Sequence, residues 1–318
     1  MKLAPGFALA CILFFAAPAL AGEAEWDEHM RAGFAAARSG DHRAASIRFE
    51  AAVREAGTFG TQDHRYVAAL YFLAVAYHRQ GRYGEAEPLY KQALAITRKI
   101  RGEQHPDMAD QLNDLAALYL EQGQHAYAEP LLKRLLAIQE KAVGPGHMLV
   151  AATLNRLAEL YREQGRYTLA IPLYQRALPI IEVARGPDHP DVAPTLNNLA
   201  LAYVALTRYF EAEPLYQRSL AIREKAFGRD HPEVATVLNN LAEMYRAQRR
   251  FAEAEPLYRR AIEIIEKASG PRNPDVVTML GNLAKLYQAQ ERNAEAEALL
   301  ERAKSARQKT PGASDAEK

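Results

Sequence analysis

One spacing, 42 residues, recurs along most of this chain and limits the folds that it can adopt. Glycine, tyrosine, proline and alanine each form a column whose members stand 42 positions apart. The glycine column contains Gly60, Gly102, Gly144, Gly186, Gly228 and Gly270, and the tyrosine column contains Tyr77, Tyr119, Tyr161, Tyr203, Tyr245 and Tyr287. Chance does not hold several columns in register over six copies. The chain is therefore predicted to consist of tandem structural repeats.

Each copy has the pattern of two helices, as residues 186–228 illustrate. Leu196, Ala200 and Tyr203 recur at the spacing that places side chains on one buried helical face. Residues 207–209 interrupt this pattern, and sister copies have glycine in the same turn. A second buried face then follows, formed by Ala212, Leu215, Tyr216, Ser219, Leu220 and Ile222. One such hairpin cannot bury its apolar face alone, whereas stacked hairpins form a continuous core.

The repeat sequence resembles a known family. Residues 196–203 read Leu-Asn-Asn-Leu-Ala-Leu-Ala-Tyr, and residues 208–220 read Arg-Tyr-Phe-Glu-Ala-Glu-Pro-Leu-Tyr-Gln-Arg-Ser-Leu. This pattern resembles the long tetratricopeptide repeats of the kinesin light chain type, over residues 60 to about 309. The resemblance implies an all-α fold, a right-handed α-solenoid of helical hairpins.

The repeats and the two ends divide the chain into four predicted segments. Residues 1–21 are predicted to be a signal peptide, and residues 22–59 a shorter N-terminal tetratricopeptide-like hairpin. Residues 60–309 hold the six 42-residue repeats, and residues 310–318 are predicted to be a disordered tail. The last copy departs from the pattern at Glu291 and Ala298, as terminal repeats commonly do.

The first residues have the order typical of a secretory signal peptide. Met1-Lys2 supply a positive start, residues 3–19 are almost wholly apolar, and Ala19-Leu20-Ala21 matches the small-x-small cleavage pattern. An uncleaved membrane anchor is the alternative, although the apolar run is shorter than the ~20 residues that a spanning helix needs. The sequence therefore predicts an exported protein, periplasmic or secreted, with no stable membrane insertion after signal cleavage.

Cleavage would change the composition in two ways that bear on function. It would remove Cys11, the only cysteine, and with it any disulfide or thiol chemistry. Loss of Lys2 would leave 39 Lys and Arg residues against 39 Asp and Glu residues. Because nucleic-acid binders normally carry a basic excess on one face, this balance predicts no nucleic-acid partner.

Catalytic and metal-binding patterns are missing from the sequence. Four histidines, His105, His147, His189 and His231, share one column. Neighbouring hairpins lie roughly 10 Å apart, so these side chains cannot meet at one metal ion, and a role in the turns is expected. No nucleophile elbow, glycine-rich phosphate loop or zinc-binding motif occurs. We therefore expect no enzyme activity, no cofactor and no bound metal.

A column of asparagines on the first helix of each repeat marks the candidate binding site. The resemblance implies that first helices line a concave groove and that this column faces it. The predicted groove residues are Asn113, Asn155, Asn197 and Asn239, joined by Arg162, Arg246, Leu201 and Val204 at positions further along the same helices. Amides can donate to and accept from an extended peptide, and arginine can grip a carboxylate. The alternative is that the asparagines only tie the repeats together.

These patterns together predict an exported, non-catalytic scaffold. Its expected partner is a protein or an extended peptide with at least one acidic residue, bound in the groove. A self-associating structural protein is one alternative. An accessory subunit of an enzyme complex is another.

Overall fold

The computed structural model describes residues 21–308 of the chain. Fourteen α-helices and no strand lie within these residues. They are α1 (Ala21–Arg38), α2 (His42–Thr58), α3 (His64–Arg79), α4 (Tyr83–Arg101), α5 (Met108–Glu121), α6 (His125–Val143), α7 (Met148–Glu163), α8 (Tyr167–Arg185), α9 (Val192–Ala205), α10 (Tyr209–Phe227), α11 (Pro232–Ala247), α12 (Phe251–Ser269), α13 (Pro274–Ala289) and α14 (Asn293–Gln308). The predicted tail, and the predicted signal peptide except Ala21, lie outside the described residues.

The helices belong to two compact units, and the division falls inside α6, between Leu131 and Leu132. In the first unit, α1 pairs with α2 and α3 with α4, and each hairpin packs against the next. In the second unit, the hairpins are α7–α8, α9–α10, α11–α12 and α13–α14, stacked through contacts such as α8 with α9. The prediction of an all-α fold built from stacked helical hairpins is confirmed.

Short turns within each hairpin place one residue in the left-handed region of the backbone. Gly81, Gly123 and Gly165 have φ values of 73°, 67° and 71°, which glycine adopts at no steric cost. Thr207 occupies the same turn with φ 57°. The turn closes all the same, because the backbone N–H of Arg208 donates to the carbonyl of Tyr203 at 2.9 Å. The hydrogen-bond pattern of the turn therefore survives the loss of glycine.

The turns between hairpins use the histidine column. Nδ1 of His147 accepts from the backbone N–H of Leu149, and Nδ1 of His231 accepts from that of Glu233, both at 3.2 Å. His105 and His189 receive equivalent bonds in their own turns. Each imidazole therefore satisfies one backbone donor that a helix start leaves open. The histidines act in the turns, as the sequence predicts.

Small and large side chains alternate in the core of the second unit. Ala200 and Ala212 are fully buried and let their helices approach closely. Three tyrosines of the second helices fill the space beside such alanines and expose none of their surface: Tyr174, Tyr216 and Tyr258. Along residues 21–308, no helix is both long enough and apolar enough to cross a membrane.

Candidate functional site

The asparagine column forms hydrogen bonds between consecutive repeats. Nδ2 of Asn240 donates to Oδ1 of Asn197 at 3.1 Å, and the amide of Asn282 makes the same bond to Asn239. Asn155 instead donates to the hydroxyl of Thr195 at 2.9 Å. These bonds join neighbouring first helices, so the amides have a structural role.

The availability of the asparagines to a ligand is correspondingly reduced. Asn197 is only 6 % exposed, and Asn113 donates to the neighbouring Asp114 at 3.1 Å. Oδ1 of Asn155 is buried and has no hydrogen-bond partner within residues 21–308. Ligand binding by the asparagine column stays a prediction. The other predicted groove residues, two arginines and an apolar pair, lie on the same set of first helices.

A second set of contacts joins the repeats through a tyrosine, a glutamate and an arginine. The hydroxyl of Tyr245 donates to Glu213 of the preceding repeat at 2.8 Å, and Arg250 donates to the same carboxylate at 2.7 Å. The guanidinium of Arg250 also lies 4.1 Å from the centre of the Tyr245 ring. Glu213 therefore holds the next hairpin through two side chains. We call this arrangement the tyrosine clamp.

The tyrosine clamp recurs at Glu255 and has a pH-dependent strength. Burial alone would raise the pKa of Glu255, but hydrogen bonds from Arg292, Tyr287 and Arg259 outweigh it and lower the pKa to about 2. A carboxylate with a lowered pKa stabilises the fold fully above its unfolded value, 4.5 here. That contribution is lost as the pH falls from about 4.5 towards about 2.

We expect Glu255→Gln to lower the free energy of unfolding at neutral pH, because it removes the charge that Arg292 and Arg259 contact. The loss should be only about 1 kcal/mol, because the clamp is partly solvated. The variant should also lose less stability than the parent as the pH falls from 4.5 to 2. Urea unfolding followed by circular dichroism at several pH values measures both effects. Glu297→Gln is the control, since Glu297 is exposed and no hairpin follows it in the described residues. Equal behaviour of the two variants would contradict the clamp.

Among the three buried second-helix tyrosines of the second unit, Tyr258 has a hydroxyl that forms a hydrogen bond. The hydroxyl of Tyr258 donates to Oε2 of Glu243 at 2.6 Å, and Nε of Arg246 donates to the same oxygen at 3.0 Å. Burial would raise the pKa of Glu243, but hydrogen bonds from Arg246 and Tyr258 outweigh it and lower the pKa. Arg246, a predicted groove residue, is thus engaged by a carboxylate of its own chain.

The preceding repeat lacks this carboxylate. Leu201 and Val204 occupy the positions that Glu243 and Arg246 hold one repeat later, and both are half-buried. The buried hydroxyl of Tyr216 consequently finds no hydrogen-bond partner in the part of the chain that the structure describes.

The charge of Arg162 acts on this unsatisfied tyrosine. Burial raises the pKa of Tyr216 and of Tyr174, and the positive charge of Arg162 opposes both shifts. Arg162 Nη2 is 3.8 Å from carboxylate oxygens of Glu159 and Glu163, beyond hydrogen-bond distance. Nε of Arg162 and the hydroxyl of Tyr174 are buried and make no hydrogen bond of ordinary geometry among residues 21–308. Arg162 thus has ion-pair contacts with two glutamates but no hydrogen bond to a carboxylate among the described residues.

We call this group of five residues the Arg162 site. It consists of Arg162, Tyr174, Leu201, Val204 and Tyr216. The sequence predicted three of them, while Tyr216 was assigned to a buried face and Tyr174 was not singled out. A change in the repeat could have indicated the two tyrosines: positions 201 and 204 are apolar where the preceding repeat has charged residues, while the second-helix tyrosine is kept. Among the described residues, no cluster of three His, Cys, Asp or Glu side chains could hold a metal ion.

Comparison with protein families matches most of the chain. The profile described as Tetratricopeptide repeat matches residues 65–141, 149–224, 191–267 and 233–309. A second tetratricopeptide repeat profile matches residues 30–99. The chain belongs to the tetratricopeptide repeat family. The resemblance inferred from the repeat sequence is thereby confirmed at the level of the family.

Several solved structures are similar to this chain. A putative kinesin light chain with nearly identical TPR-like repeats from Podosopora anserina is 28% identical with a TM-score of 0.56, covering 64% of this chain and 96% of that one. A tetratricopeptide repeat protein from Parabacteroides merdae is 19% identical, with a TM-score of 0.61 and coverage of 89% and 93%. The apo form of RapI is 16% identical, with a TM-score of 0.65 and coverage of 89% and 98%. The last two show likeness of fold alone.

In this tetratricopeptide repeat protein, the Arg162 site offers one kind of chemistry. Arginine can only donate hydrogen bonds, and a tyrosine hydroxyl can also donate. The group that satisfies them must accept hydrogen bonds, and a negative charge on it would pair with the guanidinium. Leu201 and Val204 supply an apolar surface beside these donors. The site thus suits a carboxylate carried next to an apolar group. Within a family whose repeats fit a role in protein interaction, a peptide segment has both.

Proposed function

We propose that this protein is an exported, non-catalytic scaffold whose Arg162 site binds an extended segment of another protein. The segment carries an acidic residue, which pairs with Arg162 and, once the side chains that bury it shift, with the Tyr216 hydroxyl. It also carries an apolar residue, which packs on Leu201 and Val204. One observation carries the proposal: the buried Tyr216 hydroxyl and Arg162 Nε have no partner within residues 21–308.

The next repeat supplies an internal example of what such a ligand does. There Glu243 accepts from Tyr258 and Arg246, and all three polar groups are satisfied. We expect a glutamate or aspartate of the partner to accept a hydrogen bond from the Tyr216 hydroxyl, as Glu243 accepts one from Tyr258. A buried polar group left unpaired costs about 1–3 kcal/mol, so a ligand that pairs it recovers free energy that the unbound protein gives up.

Selection from a peptide library displayed on phage tests the proposed function. Peptides that bind the purified protein should be enriched in Asp or Glu next to a large apolar residue, because both parts of the Arg162 site must be filled. The same library is selected in parallel on Arg162→Gln, which keeps a polar side chain and removes the charge. Enrichment of the same sequences on both proteins, or of sequences without acidic residues, would refute the assignment. Light scattering on the purified protein separates peptide binding from self-association.

Export is a separate part of the proposal and rests on the sequence Ala19-Leu20-Ala21. We expect the protein recovered from its native compartment to begin at Gly22. Intact-mass measurement tests this, since retention of residues 1–21 contradicts cleavage. An added acyl mass would instead indicate lipidation at Cys11.

A further inference from the structure

The first unit contains a cavity of about 540 Å³ that is separate from the Arg162 site. It lies between α3, the end of α4 and the start of α5. Its lining includes Tyr71 and Phe72 from α3, Thr97 from α4, and Asp110 and Gln111 from α5. We call it the Asp110 cavity.

Two neighbouring carboxylates of α5 have no cationic partner within residues 21–308. Asp110 lines the cavity and makes no ion pair with any described residue. Asp114, one helical turn further along, does not line the cavity and accepts a hydrogen bond of 2.6 Å from the hydroxyl of Tyr71, which does. Burial raises the pKa of Asp110, and the nearby Asp114 carboxylate raises it further. A positive charge placed in the cavity would relieve both effects.

The other charged groups around the cavity do not neutralise this pair. Asp63 is already held by Arg65 through side-chain hydrogen bonds of 2.9 Å. Nε of Arg101 is 3.7 Å from Asp107, and both side chains are more than half exposed. The start of α5 adds only about half a positive charge. The cavity therefore keeps an excess of negative charge.

A buried amide oxygen provides an independent sign that something binds here. Gln111 is 7 % exposed and lines the cavity, and its Oε1 has no hydrogen-bond partner in the described part of the chain. Nε2 of Gln111 donates to Oγ1 of Thr97 at 3.0 Å, while the Thr97 hydroxyl donates to the carbonyl of Ala93 at 3.0 Å. The Thr97 oxygen can therefore only accept from Gln111. This fixes the amide orientation and leaves Oε1 as an open acceptor.

Aromatic rings complete the lining. Tyr71 and Phe72 contact each other edge to face, with ring centres 5.1 Å apart. The Tyr71 hydroxyl is occupied by Asp114, so both residues present mainly ring surface to the cavity. Aromatic faces attract organic cations and also pack against alkyl chains.

We propose that the Asp110 cavity binds the cationic side chain, lysine or arginine, of a partner protein segment. The ammonium or guanidinium group pairs with Asp110 and donates to Oε1 of Gln111, and the nearby negative charge of Asp114 adds to the attraction. The alkyl part of the side chain packs on Tyr71 and Phe72. The assignment of the cation to a partner protein rests on the proposed function. The charge and the shape of the cavity are independent of it.

Nuclear magnetic resonance titration of the intact protein tests the cavity with a small probe. The probe is Nα-acetylarginine methylamide, and the matched neutral probe is the corresponding citrulline derivative, which has nearly the same shape. We expect the arginine probe to shift backbone amide signals of α3 and α5, with an affinity on the order of millimolar for a ligand of this size. The citrulline probe should bind at least about five-fold more weakly, because it has lost the charge.

Two variants and one control locate the effect. Asp110→Asn and Asp114→Asn each remove one charge at nearly constant volume, and each should weaken binding of the arginine probe by about five-fold or more. Asp188→Asn removes an exposed aspartate of the second unit that pairs with Lys225, and it should leave the affinity unchanged.

Three results would overturn the proposal: equal binding of the two probes, undiminished binding by both cavity variants, or shifts confined to other helices. Spermidine is titrated in parallel, and binding of spermidine without binding of the arginine probe would also overturn it, since the cavity would then take a free polyamine. None of these results depends on Arg162. The peptide selection on the Arg162 site therefore tests the proposed function independently, whatever the outcome at the Asp110 cavity.

Discussion

Replacing Tyr216 by alanine is expected to lower the free energy of unfolding by about 4 kcal/mol, the largest loss of stability that we expect from one substitution in the second unit. The ring exposes none of its surface, like those of Tyr174 and Tyr258. Its removal would leave a cavity in the core. The hairpins could close this cavity only by shifting against their neighbours, so most of the lost packing would not be recovered. Urea unfolding followed by circular dichroism measures the loss.

Two phenylalanine variants separate the ring from the hydroxyl. Tyr216→Phe should change the free energy of unfolding by less than about 0.5 kcal/mol, because the hydroxyl that it removes has no partner among residues 21–308. Tyr258→Phe should cost about 1–2 kcal/mol, because it removes a hydrogen bond to the carboxylate of Glu243. Equal losses in the two variants would show that the Tyr216 hydroxyl is already satisfied inside the protein, and the Arg162 site would lose its main support.

The second large effect concerns affinity. For a peptide selected on the parent protein, we expect Arg162→Gln to weaken binding about ten-fold or more. The double variant Arg162→Gln/Tyr216→Phe should weaken it about 100-fold, since each group forms a hydrogen bond to the same carboxylate. Fluorescence anisotropy with a labelled peptide gives the dissociation constants.

The binding experiment has controls in the protein and in the peptide. Arg185→Gln removes another positive charge from the second unit, at an exposed residue that pairs with Asp191, and should bind like the parent. Replacing the acidic residue of the peptide by its amide should weaken binding to the parent but hardly to Arg162→Gln. If the peptide change costs the same affinity in both proteins, the acid contacts something other than Arg162.

The fold could be predicted from the sequence because the columns report buried positions directly. Tyr203, Ala212 and Tyr216 fall in register with their copies, and only helices at a fixed spacing bury such a pattern. The turn histidines could be excluded as metal ligands for the same reason, since a fixed repeat distance keeps them apart.

The site could be predicted only in part, because a side chain's partners depend on tertiary contacts. When each helix is considered alone, Asn197 and Asn239 look available to a ligand. In the structure, each accepts a hydrogen bond from the next repeat. Arg162 and Arg246 looked equivalent, yet among residues 21–308 only Arg246 has a carboxylate within hydrogen-bond distance. The Asp110 cavity was not predicted at all, since it forms where three helices of two hairpins meet.

The tyrosine clamp has a consequence for how this family member can change over time. The clamp glutamate is kept from one repeat to the next, at Glu213 and Glu255. The groove positions change, from Leu201 and Val204 in one repeat to Glu243 and Arg246 in the next. A duplicated hairpin would bring its own clamp residues and so fit between existing neighbours. Its groove residues could then diverge without altering any joint. Because joining and recognition depend on different side chains, selection can lengthen the binding face or alter its preference one hairpin at a time.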